Sequence, residues 1–218
     1  MVTPTEVANI TLLSLIVSGT AVAIASPIGI PLGALIGMRE FTGKRPIVYV
    51  VNTLMGIPPV FAGLILFLLF SSVGPLGSLR ILFTPAAMVV AQVVIATPLV
   101  IGVTIAAVAN VQKAVHDTVV SLGATREQLL WTVIKEARMG LVTAIIVAFG
   151  RVISEVGAII IVGGDIRGFT RTLTTGLIGL VRIGDFQLAI VLGIVLIVMS
   201  FTVNMVLTHL QLRGTKYQ

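Results

Sequence analysis

The sequence predicts an all-α integral membrane protein that crosses the bilayer about five times, and three observations predict it. Apolar residues fill 57% of the 218 positions and charged residues only 10%, whereas a soluble domain carries roughly a quarter charged residues. Mean hydropathy is +1.15. The apolar residues also fall into five blocks long enough to cross a hydrocarbon core, which takes roughly 20 helical residues.

The blocks are 10–37, 47–70, 83–108, 141–163 and 186–207, and together they make a single transmembrane domain. The first and third exceed the length needed, so tilt or a break is expected there. Pro27 and Pro31 in the first, Pro58 and Pro59 in the second and Pro98 in the third are candidate kinks, because proline removes a backbone donor. In lipid the freed carbonyl must find a partner on a neighbouring helix. No Lys or Arg precedes Arg39, which argues against a cleaved signal peptide and leaves the first block in the membrane.

Loop charges set the orientation. With five crossings, one side holds Arg39, Lys44, Arg45, Lys113, Arg126, Lys135, Arg138, Arg213 and Lys216, and the other holds Arg80, Arg167, Arg171 and Arg182. Positive charge favours the cytoplasm, so the N-terminus is expected outside and the C-terminus inside. The net charge of +6 is therefore read as a topology signal. Without clustered basic residues interleaved with aromatics it gives no nucleic-acid surface.

Two stretches between the blocks carry structure of their own. In 109–140, Val115, Val119 and Leu122, then Leu129, Leu130, Val133 and Ile134, recur at helical spacing on either side of Gly123, predicting a cytoplasmic helix–turn–helix. The stretch 164–185 is rich in Gly and Thr and reads as an external loop with one short helix. Its Thr170, Thr172, Thr174 and Thr175 flank Arg171. Hydroxyls beside a guanidinium suit an oxyanion, and a solvated loop that touches a partner protein explains them equally well.

Catalytic chemistry finds no support. There is no cysteine, and the histidines are His116 and His209, which excludes the usual zinc spacings; no catalytic residue, metal site or chain-bound cofactor is expected. A phosphate-binding loop is absent too: around Gly37 and Gly43-Lys44 the glycine gap is wrong, and Arg45 stands where Ser or Thr would hold magnesium. If ATP drives this protein, ATP and magnesium belong on another chain.

Inside the blocks, Arg151 and Glu155 stand out, since an isolated charge at a helix centre costs about 2.5–3.5 kcal/mol on insertion scales. Four residues apart, they share a helix face and can pair. They either border a substrate path or gate, or neutralise one another to stabilise packing or a dimer interface. Asn52, Gln92, Thr97, Thr104 and Asn204 pose the same question in milder form. Gly29, Gly33 and Gly37 line one helix face, as ordinary close packing or as a dimer seam.

The stretch 117–136, running Asp-Thr-Val-Val-Ser-Leu-Gly-Ala-Thr-Arg-Glu-Gln-Leu-Leu-Trp-Thr-Val-Ile-Lys-Glu, resembles the cytoplasmic EAA loop of bacterial ABC importer permeases. Gly123 and Val133 sit at the family spacing; Asp117-Thr-Val replaces EAA, and Lys135-Glu136 replaces the closing Leu-Pro. Residues 53–63, with Gly56-Ile-Pro-Pro59, resemble the second-span signature of molybdate, tungstate and sulfate permeases. Gly150-Arg-Val-Ile-Ser-Glu155-Val-Gly-Ala158, Val162-Gly-Gly164 and Thr170-Arg-Thr-Leu-Thr-Thr175 are similar to the tungstate branch of that oxyanion family.

The resemblance implies a type I ABC importer permease fold in a prokaryotic cell membrane. It implies a homodimer with two cytoplasmic ABC ATPase subunits and an extracytoplasmic oxyanion-binding protein. Asp117, Ser121, Leu122, Gly123, Ala124, Thr125, Glu127 and Gln128 would then form a coupling loop, with a short coupling helix docking on the ATPase. A path between the two copies would be bordered by Asn52, Pro58, Pro59, Thr97, Arg151, Ser154, Glu155, Thr170 and Arg171. A stand-alone secondary transporter is the competing reading, but such proteins carry internal repeats, and none is visible here.

Overall fold

The computed structural model describes residues 4–215, and within that range the side chains other than those of 112–114, 116, 117, 120, 126, 210 and 212–215. Among the described residues, eight α-helices and one short 3-10 turn follow one another: α1 (Pro4–Met38), α2 (Lys44–Met55), α3 (Pro59–Phe70), the turn Gly77–Leu79, α4 (Pro85–Ser121), α5 (Arg126–Ile153), α6 (Gly157–Gly163), α7 (Leu173–Arg182) and α8 (Phe186–Thr215).

Helices α1, α4 and α8 are each long and apolar enough to cross a membrane unaided. The count reaches five when α2 with α3, and α5 with α6, are each taken as one crossing. The second and fourth apolar blocks are thus broken rather than continuous. The α2–α3 pair bends by 92° and the α5–α6 pair by 59°.

Local chemistry explains the first break. Gly56 ends α2, Ile57 precedes a proline and is pushed away from helical geometry, and Pro58 is extended with φ −59° and ψ 122°. Pro59 then opens α3 at the position where a missing N–H costs nothing. Pro27, Pro31 and Pro98, by contrast, lie within continuous helices.

The frame of the bundle is the α1–α4 pair. A methyl on Gly29 would stand 2.8 Å from Val100 Cβ, one on Gly33 2.7 Å from the Ile101 carbonyl oxygen, and one on Gly37 3.1 Å from the Ile105 carbonyl oxygen. The glycine stripe therefore packs α1 onto α4 within one chain. Around this frame one core joins Val22 and Ala25 of α1, Ala96 and Val100 of α4, Phe149 and Val152 of α5, Leu173 of α7 and Leu192 of α8. A second joins Leu66 and Phe70 of α3, Met88 and Ala91 of α4, and Ala158 and Val162 of α6. The outward faces stay apolar, with Ile190, Ile194, Ile197 and Phe201 of α8 all exposed, as hydrocarbon surroundings require.

The predicted helix–turn–helix is present, but without a separate short helix at its tip. α4 leaves its apolar segment and continues to Ser121, the chain turns at Gly123 with φ +78°, and α5 starts at once. The restart has a local cause. The Thr125 hydroxyl accepts from the Gln128 N–H at 3.3 Å, and the Gln128 carboxamide oxygen accepts from the Thr125 N–H at 2.8 Å, a reciprocal cap.

Candidate functional site

Where α2, α3, α4 and the end of α5 face one another they enclose a cavity of about 520 Å³. Its wall is almost wholly hydrocarbon, including Met55, Phe61, Ile65 and Ile101, with Thr97 and Arg151 as the polar exceptions. The Thr97 hydroxyl donates to the Val93 carbonyl at 2.7 Å, the local bond a helical threonine makes when no other partner is offered.

Arg151 is delivered by the last turn of α5, just before the break at Ser154, Glu155 and Val156. Its Nη1 lies 3.3 Å from Glu155 Oε2, yet the two side chains sit differently, 41% exposed for Arg151 and 6% for Glu155. The second carboxylate oxygen of Glu155 accepts the Ala158 N–H at 3.2 Å, so the buried carboxylate also caps the first turn of α6. The Ser154 hydroxyl donates to the Gly150 and Arg151 carbonyls at 3.0 and 3.1 Å, closing the end of α5.

The break is held from two sides. Gln92 Nε2 donates to the Val152 carbonyl at 2.8 Å, and the Thr174 hydroxyl donates to the Glu155 carbonyl at 3.0 Å. In an apolar bundle such bonds satisfy carbonyls that the interrupted helix leaves over.

The threonine-rich stretch is buried, not solvated, and its hydroxyls are committed to the protein. Thr170 accepts the Ile166 N–H and donates to the Gly163 carbonyl at 2.6 Å, closing the end of α6. Thr172 and Thr175 form a reciprocal cap on α7, and the Leu173 N–H donates to Ser14 Oγ of α1 at 2.9 Å. Arg171 is held by both oxygens of Asp165, at 3.1 and 3.0 Å. A bound oxyanion at Thr170 and Arg171 would have to displace these partners.

Of the residues singled out for a path, Thr97 and Arg151 line the cavity, and Glu155 reaches it through Arg151. Asn52 and Pro58 are exposed, and Pro59 half-buried, at the α2–α3 bend. Arg171 lines a smaller cleft of about 260 Å³ with Glu6, Asn9 and Phe169. Beside it Arg167 and Glu6 pair at 2.6 and 2.7 Å, and the carboxylate holds the guanidinium above its ordinary pKa. Sequence reasoning missed Glu6, Asp165 and Ser14. A pair 161 positions apart leaves no local trace, whereas Asp165, six residues before Arg171 in a glycine-rich turn, was the accessible signal.

At the opposite end of the bundle, Ser121, Leu122, Gly123, Thr125, Glu127 and Gln128 are exposed around the α4–α5 turn and Ala124 is half-buried. Leu122 is 81% exposed and Trp131 is 74% exposed. The Asp117 side chain lies outside the described residues. Gln211 of α8 donates to Thr143 Oγ1 of α5 at 3.0 Å, holding the last helix to this end.

Long helices framing a cavity between two broken crossings, with an exposed hairpin at one end, define a multi-pass membrane permease. The chain belongs to the family of binding-protein-dependent transport system inner membrane components, whose pattern matches residues 29–215. It is 40% identical over 205 residues to a probable anion ABC transporter permease protein of Haloferax volcanii, covering 92% of this chain and 88% of that one. It is 40% identical over 206 residues to the tungstate uptake system permease protein TupB of Peptoclostridium acidaminophilum, covering 94% and 90%. Against TupB of Campylobacter jejuni the identity is 38% over 170 residues, covering 78% and 71%.

Proposed function

We propose that this chain is the membrane-crossing subunit of an ATP-driven importer of tungstate. Two copies enclose the path, two ABC ATPase subunits dock on the Ser121–Gln128 turn, and an oxyanion-binding protein delivers cargo at the opposite end. The ATPase holds ATP and magnesium. The N-terminus faces outward and the C-terminus the cytoplasm, as the excess of basic residues around the 39–45 turn and the α4–α5 hairpin favours. The similarity to tungstate permeases over most of the chain is the observation that carries the cargo.

Alternating access needs a bundle with two arrangements and two state-dependent contacts that bias it. The ATPase at the turn supplies one and the loaded binding protein the other. A path for a dianion also has to release what it admits. An apolar wall with a single neutralised cation per copy fits that requirement better than a deep polar site.

Uptake by the assembled complex in proteoliposomes tests the reading. Tungstate is expected to accumulate ahead of molybdate and sulfate, and only with ATP. Molybdate or sulfate ranking first would reassign the cargo within the oxyanions. ATP-independent uptake, or equal uptake of sugars or amino acids, would overturn the reading itself.

A further inference from the structure

We infer that Arg151 is the residue that touches the oxyanion inside the cavity, and that Glu155 is its resting counter-ion, which gives the guanidinium up as the anion passes. The inference rests on the oxyanion-import reading above.

The pair is not a symmetric packing pair. Glu155 is 6% exposed and Arg151 41% exposed on their side chains, so the carboxylate belongs to the protein interior and the guanidinium to the cavity. Glu155 has a second partner in the Ala158 N–H and is not left bare when Arg151 leaves. Among the described residues Arg151 has one ionic contact, at 3.3 Å, against the two-point 3.1 and 3.0 Å grip of Asp165 on Arg171. A guanidinium carries five N–H donors in a planar fork, so most of those on Arg151 remain to be used.

That fork matches two oxygens of a tetrahedral oxyanion, and charge-assisted contacts of this kind are the strong ones. A dianion attracts a guanidinium about twice as strongly as one carboxylate does at equal distance. It can therefore draw Arg151 away, while Glu155 stays bonded to the Ala158 N–H at the start of α6, ready to take it back. When the path opens and water screens the cargo, Glu155 takes the guanidinium back, which keeps the contact transient. In the proposed pair of copies, two such guanidinia balance the two charges of the cargo.

The test uses the complete complex with its ATPase and binding protein, reading tungstate uptake into proteoliposomes and co-purification of the subunits. R151Q is expected to assemble and to lose uptake at least about tenfold, the scale of a lost charge-assisted contact. The exchange R151E/E155R keeps a pair but moves the cation to the buried position, and uptake is expected to stay as low as in R151Q. Because the chain has no cysteine, R151C gives it a single thiol. Aminoethylation of that thiol, which restores a cation, is expected to recover uptake, and methylthiolation is not. Wild-type uptake in R151Q, recovery in the exchanged pair, or equal recovery with the uncharged reagent would overturn the inference while leaving the importer intact. A wild-type complex that accumulates no oxyanion would overturn the import reading, and this inference with it.

Discussion

Gly63 and Ala158 meet so closely that a methyl group on Gly63 would stand 2.7 Å from the Ala158 Cα. The second halves of the two broken crossings, α3 and α6, therefore touch backbone to backbone, and side-chain volume is excluded from their crossing point. Overpacking a tight contact costs about 1–3 kcal/mol. Gly63→Val is accordingly expected to lower the thermal midpoint of the detergent-purified protein by several degrees.

Gly19 supplies the contrast. It lies in α1, and a methyl there would meet nothing within 4 Å. Replacing an open helical glycine by alanine recovers roughly 0.5–1 kcal/mol of chain entropy and propensity. Gly19→Ala should raise the midpoint and Gly33→Ala, facing the Ile101 carbonyl, should lower it, in parallel melts.

At the α4–α5 turn, Gly123 has φ +78° with open space around it, so its requirement is conformational and not steric. A β-branched residue there is strained by about 1–2 kcal/mol, whereas asparagine tolerates this region of backbone. Gly123→Val should reduce recovery of the ATPase in pull-downs from co-expressing cells, and Gly123→Asn should largely preserve it. Equal recovery with both would separate this turn from ATPase docking.

Thr174 ties α7 to the broken crossing through the Glu155 carbonyl. Thr174→Val keeps the shape and removes the donor, leaving a buried carbonyl short of a partner at a cost of about 1–3 kcal/mol. Loss of stability is expected in melts of the purified protein. Faster hydrogen exchange in the first turn of α7 should accompany it.

Arg167 and Glu6 behave differently with pH. The neighbouring carboxylate raises the arginine pKa, so whatever this link adds is fully present below the unfolded-state value and is lost only as pH rises through the still higher folded one. Melts of wild type and Arg167→Gln should therefore keep the same difference from neutral to moderately alkaline pH.

Much of this architecture was legible in the sequence. The apolar blocks, the turn at Gly123 and the proximity of Arg151 to Glu155 follow from periodicity and spacing. The right-angle break at Gly56-Ile57-Pro58 was visible only as a pair of candidate kinks, because residue preferences say that a helix ends but not where the next one heads. The glycine stripe of α1 announced a close neighbour without naming it, and α4 of the same chain fills that role. The threonines of 170–175 looked water-facing because composition counts hydroxyls. It cannot see that capping and stray carbonyls consume them, which is how so polar a segment comes to be buried.

Helix α4 is continuous from the cavity wall at Ile101 to its last residue, Ser121, beside the hairpin turn. Those 21 residues, with twenty rises of 1.5 Å between them, form a rod of about 30 Å, with Pro98 lying beyond its upper end. Such a rod is a lever arm. A tilt of about 5° about its cavity end displaces the tip by about 3 Å over that length. Conversely, a push of a few ångströms at the tip is enough to rotate the helix where it walls the cavity, with no unfolding and no intermediate joint along the way.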